Sequence, residues 1–193
     1  MASTAVEVTL LVADQFEVLG VVYALGGSLA SSVHGVPRST NDSDIVADIR
    51  VEHVDALVQA LTSTFYIDGD AIRDAIQHRG SFNVIHLASM FKVDVFLPRK
   101  RAFDTVQLSR RVFEVVDESS NISMYVTSAE DNVLAKLEWY RLGNEVSDRQ
   151  WNDILGVLKV PASDIDKDYL CHWAARLGLS DLLTRAFDDA GIA

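Results

Sequence analysis

The sequence predicts an α+β fold: a small mixed β-sheet with flanking helices, followed by an all-helical C-terminal part. Three observations carry this reading. Up to residue 127, short β-branched or aromatic runs bounded by glycine or polar clusters alternate with stretches of helical period. After Thr127 no strand pattern remains, and four runs with apolar residues at 3–4 spacing follow. No proline- or glycine-rich linker marks the change, so the two parts, 1–127 and 128–193, are expected to pack against each other.

Residues 1–13 are small and β-branched and carry no functional signal. Phe16, Leu19 and Val22, following Asp14, suggest a short helix capped by that aspartate. Tyr23-Ala24-Leu25 reads as a buried strand broken by Gly26-Gly27, and Ser28 as the N-cap of a helix through Val33. Gly35 is expected to end that helix as a left-handed C-cap, and Pro37 keeps the next stretch a loop. A strand over Asp44–Ile49, a helix with Val51, Val54, Leu57, Val58 and Leu61, a short strand at Phe65–Ile67 and a helix over Asp70–His78 come next. Two hairpins are expected, Phe82–Leu87 with Phe91–Leu97 and Val112–Val116 with Ser123–Thr127, separated by a helix over Arg99–Leu108. Ser128 and Asp131 form a variant capping box ahead of a helix that ends near Gly143. Helices over Asp148–Lys159, stopped by Pro161, and over Ile165–Leu177 and Ser180–Ala190 complete the chain.

The net charge of -11 argues against broad adhesion to nucleic acid or anionic membranes. One basic cluster stands out: Arg99, Lys100, Arg101, Arg110 and Arg111. It reads either as a solvated face or as a local site suited to an RNA end. The single cysteine, Cys171, excludes an intrachain disulfide and suits a reducing cytoplasm; its apolar-periodic setting predicts a buried small hydrophobe. No basic leader with an apolar run opens the sequence and no run of about eighteen apolar residues occurs, so a cytoplasmic protein without a membrane span is expected.

The chemistry concentrates in LGGSLASSVHGVPRSTNDSDIVAD, residues 25–48. Gly26-Gly27-Ser28 at a strand-to-helix turn lets the backbone approach a phosphate, and the helix N-terminus adds favourable N–H dipoles. No Walker lysine follows, and the GxGxxG fingerprint is absent. Asp42 and Asp44 lie two apart, so on a strand their carboxylates share a face. Two anions held together repel unless a cation lies between them; water at a loop edge is the alternative remedy. Asp94, flanked by valines in Phe91-Lys92-Val93-Asp94-Val95-Phe96, is costly to bury without compensation. A metal would supply it; a structural ion pair is the alternative, although proximity to Lys92 alone is not expected to suffice.

Taken together, GGSLASSVHGVPRSTNDSDIVADI and the later VDV resemble the polymerase-β-like nucleotidyltransferase superfamily. The HGxxRxTxDxD wording, with the tail TSAEDNVLAKLEWYRLGNEVSDRQWNDILGVL, looks like the bacterial group related to AbiEii toxins. The resemblance implies a nucleotidyltransferase core closed by a helical subdomain, transferring NMP from an NTP to an acceptor hydroxyl. It implies Asp42, Asp44 and Asp94 as ligands of two Mg²⁺ ions, with Asp94 also helping to activate the nucleophile. Gly27 and Ser28 would hold the terminal phosphates, Arg38 and Thr40 would reach phosphate, and Lys136 would approach it from the helical part. Asp153 matches a late aspartate of the group, but Arg149-Gln-Trp-Asn-Asp153 departs from the group's Arg-Asp wording and leaves its role open. The acceptor is an RNA or tRNA end, a protein or a small molecule, and a toxin role would bring an antitoxin partner. Two other readings stand: a non-catalytic nucleotide- or partner-binding module on the same fold, and, more remotely, a serine hydrolase built on Gly26-Gly-Ser28.

Overall fold

The computed structural model describes residues 5–160 and 165–192. The chain opens with α1 (Ala5–Val18), which begins nine residues ahead of the helix expected from Asp14. Val6, Val8 and Leu10 alternate as a strand would, which hides the helical stripe. That stripe is Val8, Val12 and Phe16 at four-residue spacing, and it is fully withdrawn from solvent. Packing of this face outweighs the weak helix propensity of the valines.

After α1 come β1 (Tyr23–Leu25), α2 (Gly27–His34), β2 (Asp42–Ala47), a short 3-10 turn at Val51–His53, α3 (Val54–Leu61) and β3 (Phe65–Tyr66). α4 (Gly69–His78), β4 (Ser81–His86), β5 (Lys92–Phe96), α5 (Ala102–Ser109), β6 (Val112–Asp117) and β7 (Ile122–Val126) follow. The remaining elements are α6 (Ala129–Leu142), α7 (Asp148–Lys159), α8 (Lys167–Leu177) and α9 (Ser180–Ala190). Pro161, expected to stop α7, lies outside the described residues. The predicted α+β class holds, with both hairpins in place and no strand after Thr127 among the described residues.

The seven strands form one mixed sheet in the order β3-β4-β5-β2-β1-β7-β6. β1 runs antiparallel to β2, while β2 and β5 are parallel. Along β2, Ser43, Ile45 and Ala47 turn inward to a core shared with α1, α3 and α4, so Asp42 and Asp44 occupy the other face. β5 repeats the pattern with Val93 and Val95 inward and Lys92, Asp94 and Phe96 outward. A second core unites α6, α7, α8 and α9 through Leu134, Leu137, Ile154, Leu170 and Leu183, and recruits Phe103 from α5. Asp131, next to it, is sealed by the Ser128 hydroxyl at 3.0 Å and the Tyr169 hydroxyl at 2.6 Å.

Four local expectations are corrected. Asp14 caps no helix: it lies inside α1, and Val22 lies beyond its end. Ser28 is not the N-cap of α2: Gly26 occupies that position without a side-chain bond, and Ser28 lies within the helix. Gly35 is not left-handed, having φ −144°. Its glycine is required because a Cβ would stand 2.8 Å from the backbone of Gly156 and Val157, where α2 meets α7. Cys171 is exposed rather than buried, because the stripe of α8 that enters the core is Leu170, Trp173 and Ala174.

Candidate active site

Strand register brings the acids together. Asp44 lies directly opposite Asp94, and Asp42 opposite Lys92, across the parallel β2–β5 pair. All four side chains stand on the sheet face turned away from the α1 core. Asp42 accepts a hydrogen bond from the Thr40 hydroxyl at 3.0 Å. Asp94 accepts one from the Lys92 ammonium at 2.7 Å, so the Lys92 pairing that the sequence discounted does form. Residues i and i+2 on one strand face are close enough for the long lysine stem to fold back onto the carboxylate.

The glycine-serine turn is tied to this acidic face. Gly26 N–H donates to the Asp44 carbonyl at 2.7 Å. Gly27 has φ +56°, and a Cβ there would stand 2.6 Å from Cγ of Asp44. Only glycine allows the turn to press against the carboxylate. The N-terminus of α2 therefore opens beside Asp44, a placement that favours anions at the helix end and cations at the carboxylate.

Opposite the sheet stands a cluster that sequence reasoning did not assemble. The Arg38 guanidinium grips Asp153 with two bonds, Nε to Oδ1 at 2.7 Å and Nη2 to Oδ2 at 2.8 Å. Arg38 Nη2 also donates to the Ser28 hydroxyl. Lys136 Nζ donates to Asp153 Oδ2 at 2.8 Å. Asp153 thus fixes one cation from the loop before β2 and one from α6. A sequence signal existed: Asp153 stands in α7 beside Ile154 and three residues before Gly156, on a side that the core stripe does not explain. His34 is satisfied structurally, its Nε2 lying 2.7 Å from the Thr127 carbonyl oxygen.

These parts surround one cleft of about 530 Å³. Gly27, Ser28, Arg38, Thr40, Asp42, Asp44 and Lys136 all line it, whereas Asp94 does not. Its further wall carries Phe96, Trp139 and Leu142, with Arg79, Arg99 and Arg101. The basic cluster read from the sequence is dispersed. Arg101 pairs with Asp104 and Glu138, Arg110 with Glu130 over the Tyr169 ring, and Arg111 bonds the Tyr23 carbonyl while covering Tyr125. Only Arg99 and Arg101 of the five reach the cleft.

Electrostatics divide the site. Burial, then the charges of Asp42 and Asp94, push the Asp44 carboxyl from 3.8 up to about 6, against the opposing pull of Lys136 and Lys92. Burial also acts to raise Asp153, but the bonds from Arg38 and Lys136 outweigh it and hold that carboxyl below its usual range. An acidic face short of positive charge, made of oxygen donors, is the donor chemistry of a hard divalent cation. Among the described residues, no three His, Cys, Asp or Glu side chains already converge as a metal cage. Asp42 and Asp44 fit such an ion by donor type and by their charge excess, while Asp94 is engaged by Lys92. Ser28 faces a guanidinium rather than a base, an arrangement suited to holding an anion and not to a serine nucleophile.

No protein-family model matches the chain, and no curated protein matches its sequence. Among solved structures, an antigenic nucleotidyltransferase-like protein from Paracoccidioides brasiliensis superposes with a TM-score of 0.55 at 16% identity, spanning 95% of this chain and 92% of that one. The lincosamide antibiotic adenylyltransferase LnuA, with lincomycin bound, gives 0.47 at 15% identity over 77% of this chain and 93% of that one. The antibiotic-resistance factor ANT(2'')-Ia gives 0.48 at 12% identity over 96% and 88%. At these identities the likeness is one of fold, and the first of them shows that this chain has a nucleotidyltransferase-like fold.

Proposed function

We propose that the chain is a metal-dependent nucleotidyltransferase that moves NMP from an NTP to an acceptor hydroxyl. The observation that supports this most is the convergence on one cleft of the α2 N-terminus, two aspartates short of positive charge, and two cations held by a third aspartate. Ser28 and the N–H groups opening α2 would receive the terminal phosphates. Arg38 and Lys136, kept in place by Asp153, would face the charge that develops on the leaving pyrophosphate. Asp42 and Asp44 would hold Mg²⁺, with Asp94 the third carboxylate of the set. When bound, the cation would neutralise triphosphate charge and stabilise an in-line displacement. The acceptor oxygen bonds to the α-phosphorus as the bond to the β-phosphate bridge breaks. Pyrophosphate leaves with the electron pair, and the acceptor proton is released to the open cleft.

The AbiEii relationship and a toxin role with an antitoxin partner belong to this proposal, with an RNA end, a protein or a small molecule as acceptor. The division at residue 127 into a transferase core and a helical subdomain is likewise proposed, on the strength of the two cores. One observation favours a second reading, nucleotide binding without transfer: Asp94 is bound to Lys92 and stands outside the cleft lining. Incubation with each α-labelled NTP, Mg²⁺ and cell extract separates the two. Transfer predicts a labelled product that Asp42→Asn abolishes; no label on any macromolecule or metabolite rejects it.

A further inference from the structure

Lys92 lies on the acidic face, its Cα in register with Asp42 and its ammonium 2.7 Å from Asp94 Oδ2. Its side chain is 41% exposed while Asp94 is 19% exposed, so the lysine caps the carboxylate from the solvent side. Three carboxylates and one ammonium leave two net negative charges, which one divalent cation cancels. Without Lys92 a single divalent cation would leave one carboxylate unmatched, and the remaining negative charge would attract a further cation. Asp42 and Asp44 line the cleft and Asp94 does not, so the carboxylates already divide between an open pair and one that is occupied.

We infer that Lys92 is a built-in substitute for a second metal ion, and that the site takes a single divalent cation at Asp42 and Asp44. The inference rests on the nucleotidyltransferase reading and specifies its metal count. The Lys92 ammonium contributes positive charge on the Asp94 side of the site. Asp94 then positions Lys92 instead of ligating metal.

The test is electron paramagnetic resonance of bound Mn²⁺, with α,β-methylene ATP, GTP, CTP and UTP each tried as the nucleotide. Two metals about 3.5–4 Å apart give a spin-coupled spectrum, and one ion gives an uncoupled six-line spectrum. Wild type is expected to hold one uncoupled Mn²⁺ per chain, Lys92→Met a coupled pair, and Lys92→Arg a single ion again. Asp94→Asn is expected to leave the count at one, whereas a two-metal site would lose an ion. A coupled pair in wild type, or a single ion in Lys92→Met with an unchanged thermal melt, overturns the inference while leaving the transferase reading intact. If no nucleotide retains Mn²⁺ on wild type, the transferase reading itself fails and the inference falls with it.

Discussion

Asp44, half-buried, and Asp153, buried, are aspartates beside one cleft, and their surroundings drive them in opposite directions. Asp44 has two carboxylate neighbours and is pushed up to about 6; Asp153 has two bonded cations and is held below 3.8. Burial raises both, so the difference lies in the partners. The Asp153 cluster is complete within the protein. The Asp44 face is incomplete and is stabilised by whatever brings positive charge.

The contrast can be broken from either side. The largest effect is expected from Asp42→Asn, which removes a cleft carboxylate: the rate of NMP transfer should fall by about a thousandfold with folding unimpaired. A transfer assay beside a thermal melt checks both halves. Asp153→Ala should act on stability as well as on transfer, because Arg38 and Lys136 lose the counter-ion that holds them; urea unfolding should show a loss of about 3 kcal/mol. A change under about 0.5 kcal/mol would show that Asp153 does not anchor the cations.

Gly27→Ala should cost roughly 1–3 kcal/mol, since it combines a left-handed backbone with a Cβ driven into the Asp44 carboxylate. Nucleotide affinity should fall with it, and Gly178→Ala, which strains a left-handed backbone outside the cleft lining, is the control for general damage. The smallest effect concerns pH. Folding binds the Asp44 proton more tightly, so the stability Asp44 contributes is intact below 3.8 and lost as pH rises through about 6. Asp153 does the reverse: its contribution is present above 3.8 and lost as pH falls through its depressed value. In EDTA, the midpoint of thermal unfolding should therefore drop by roughly 2–4 °C between pH 5 and pH 7.5, and Asp44→Asn should flatten that slope. Mg²⁺ should stabilise wild type more at pH 7.5 than at pH 5.

Much of this arrangement was legible in the residues. Asp42-x-Asp44 and the apolar strand around Asp94 fixed a shared face by two-residue periodicity, and Gly26-Gly27-Ser28 marked the turn beside it. What stayed hidden depends on contacts between distant parts of the chain. Arg38 and Asp153 are 115 positions apart and meet only because α2 packs against α7 at Gly35 and Gly156. The Lys92–Asp94 pair was visible as spacing, but its formation depends on a lysine rotamer that sequence does not specify. The first part of α1 was missed for a different reason, since valines at alternate positions carry strand and helix patterns at once. The basic run 99–111 left both of its readings open, because the partners that divide it come from distant parts of the chain: Glu138 for Arg99 and Arg101, Glu130 for Arg110 and the Tyr23 carbonyl for Arg111.

The central claim is that the Asp42–Asp44 face is completed by a divalent cation that brings a nucleotide with it. Titration calorimetry of wild type and Asp42→Asn with each NTP, in Mg²⁺ and in EDTA, tests it most directly. The account predicts, for at least one NTP, affinity that rises about tenfold or more with Mg²⁺ in wild type and loses that gain in Asp42→Asn. Affinity indifferent to Mg²⁺, or a gain that survives in Asp42→Asn, would contradict it.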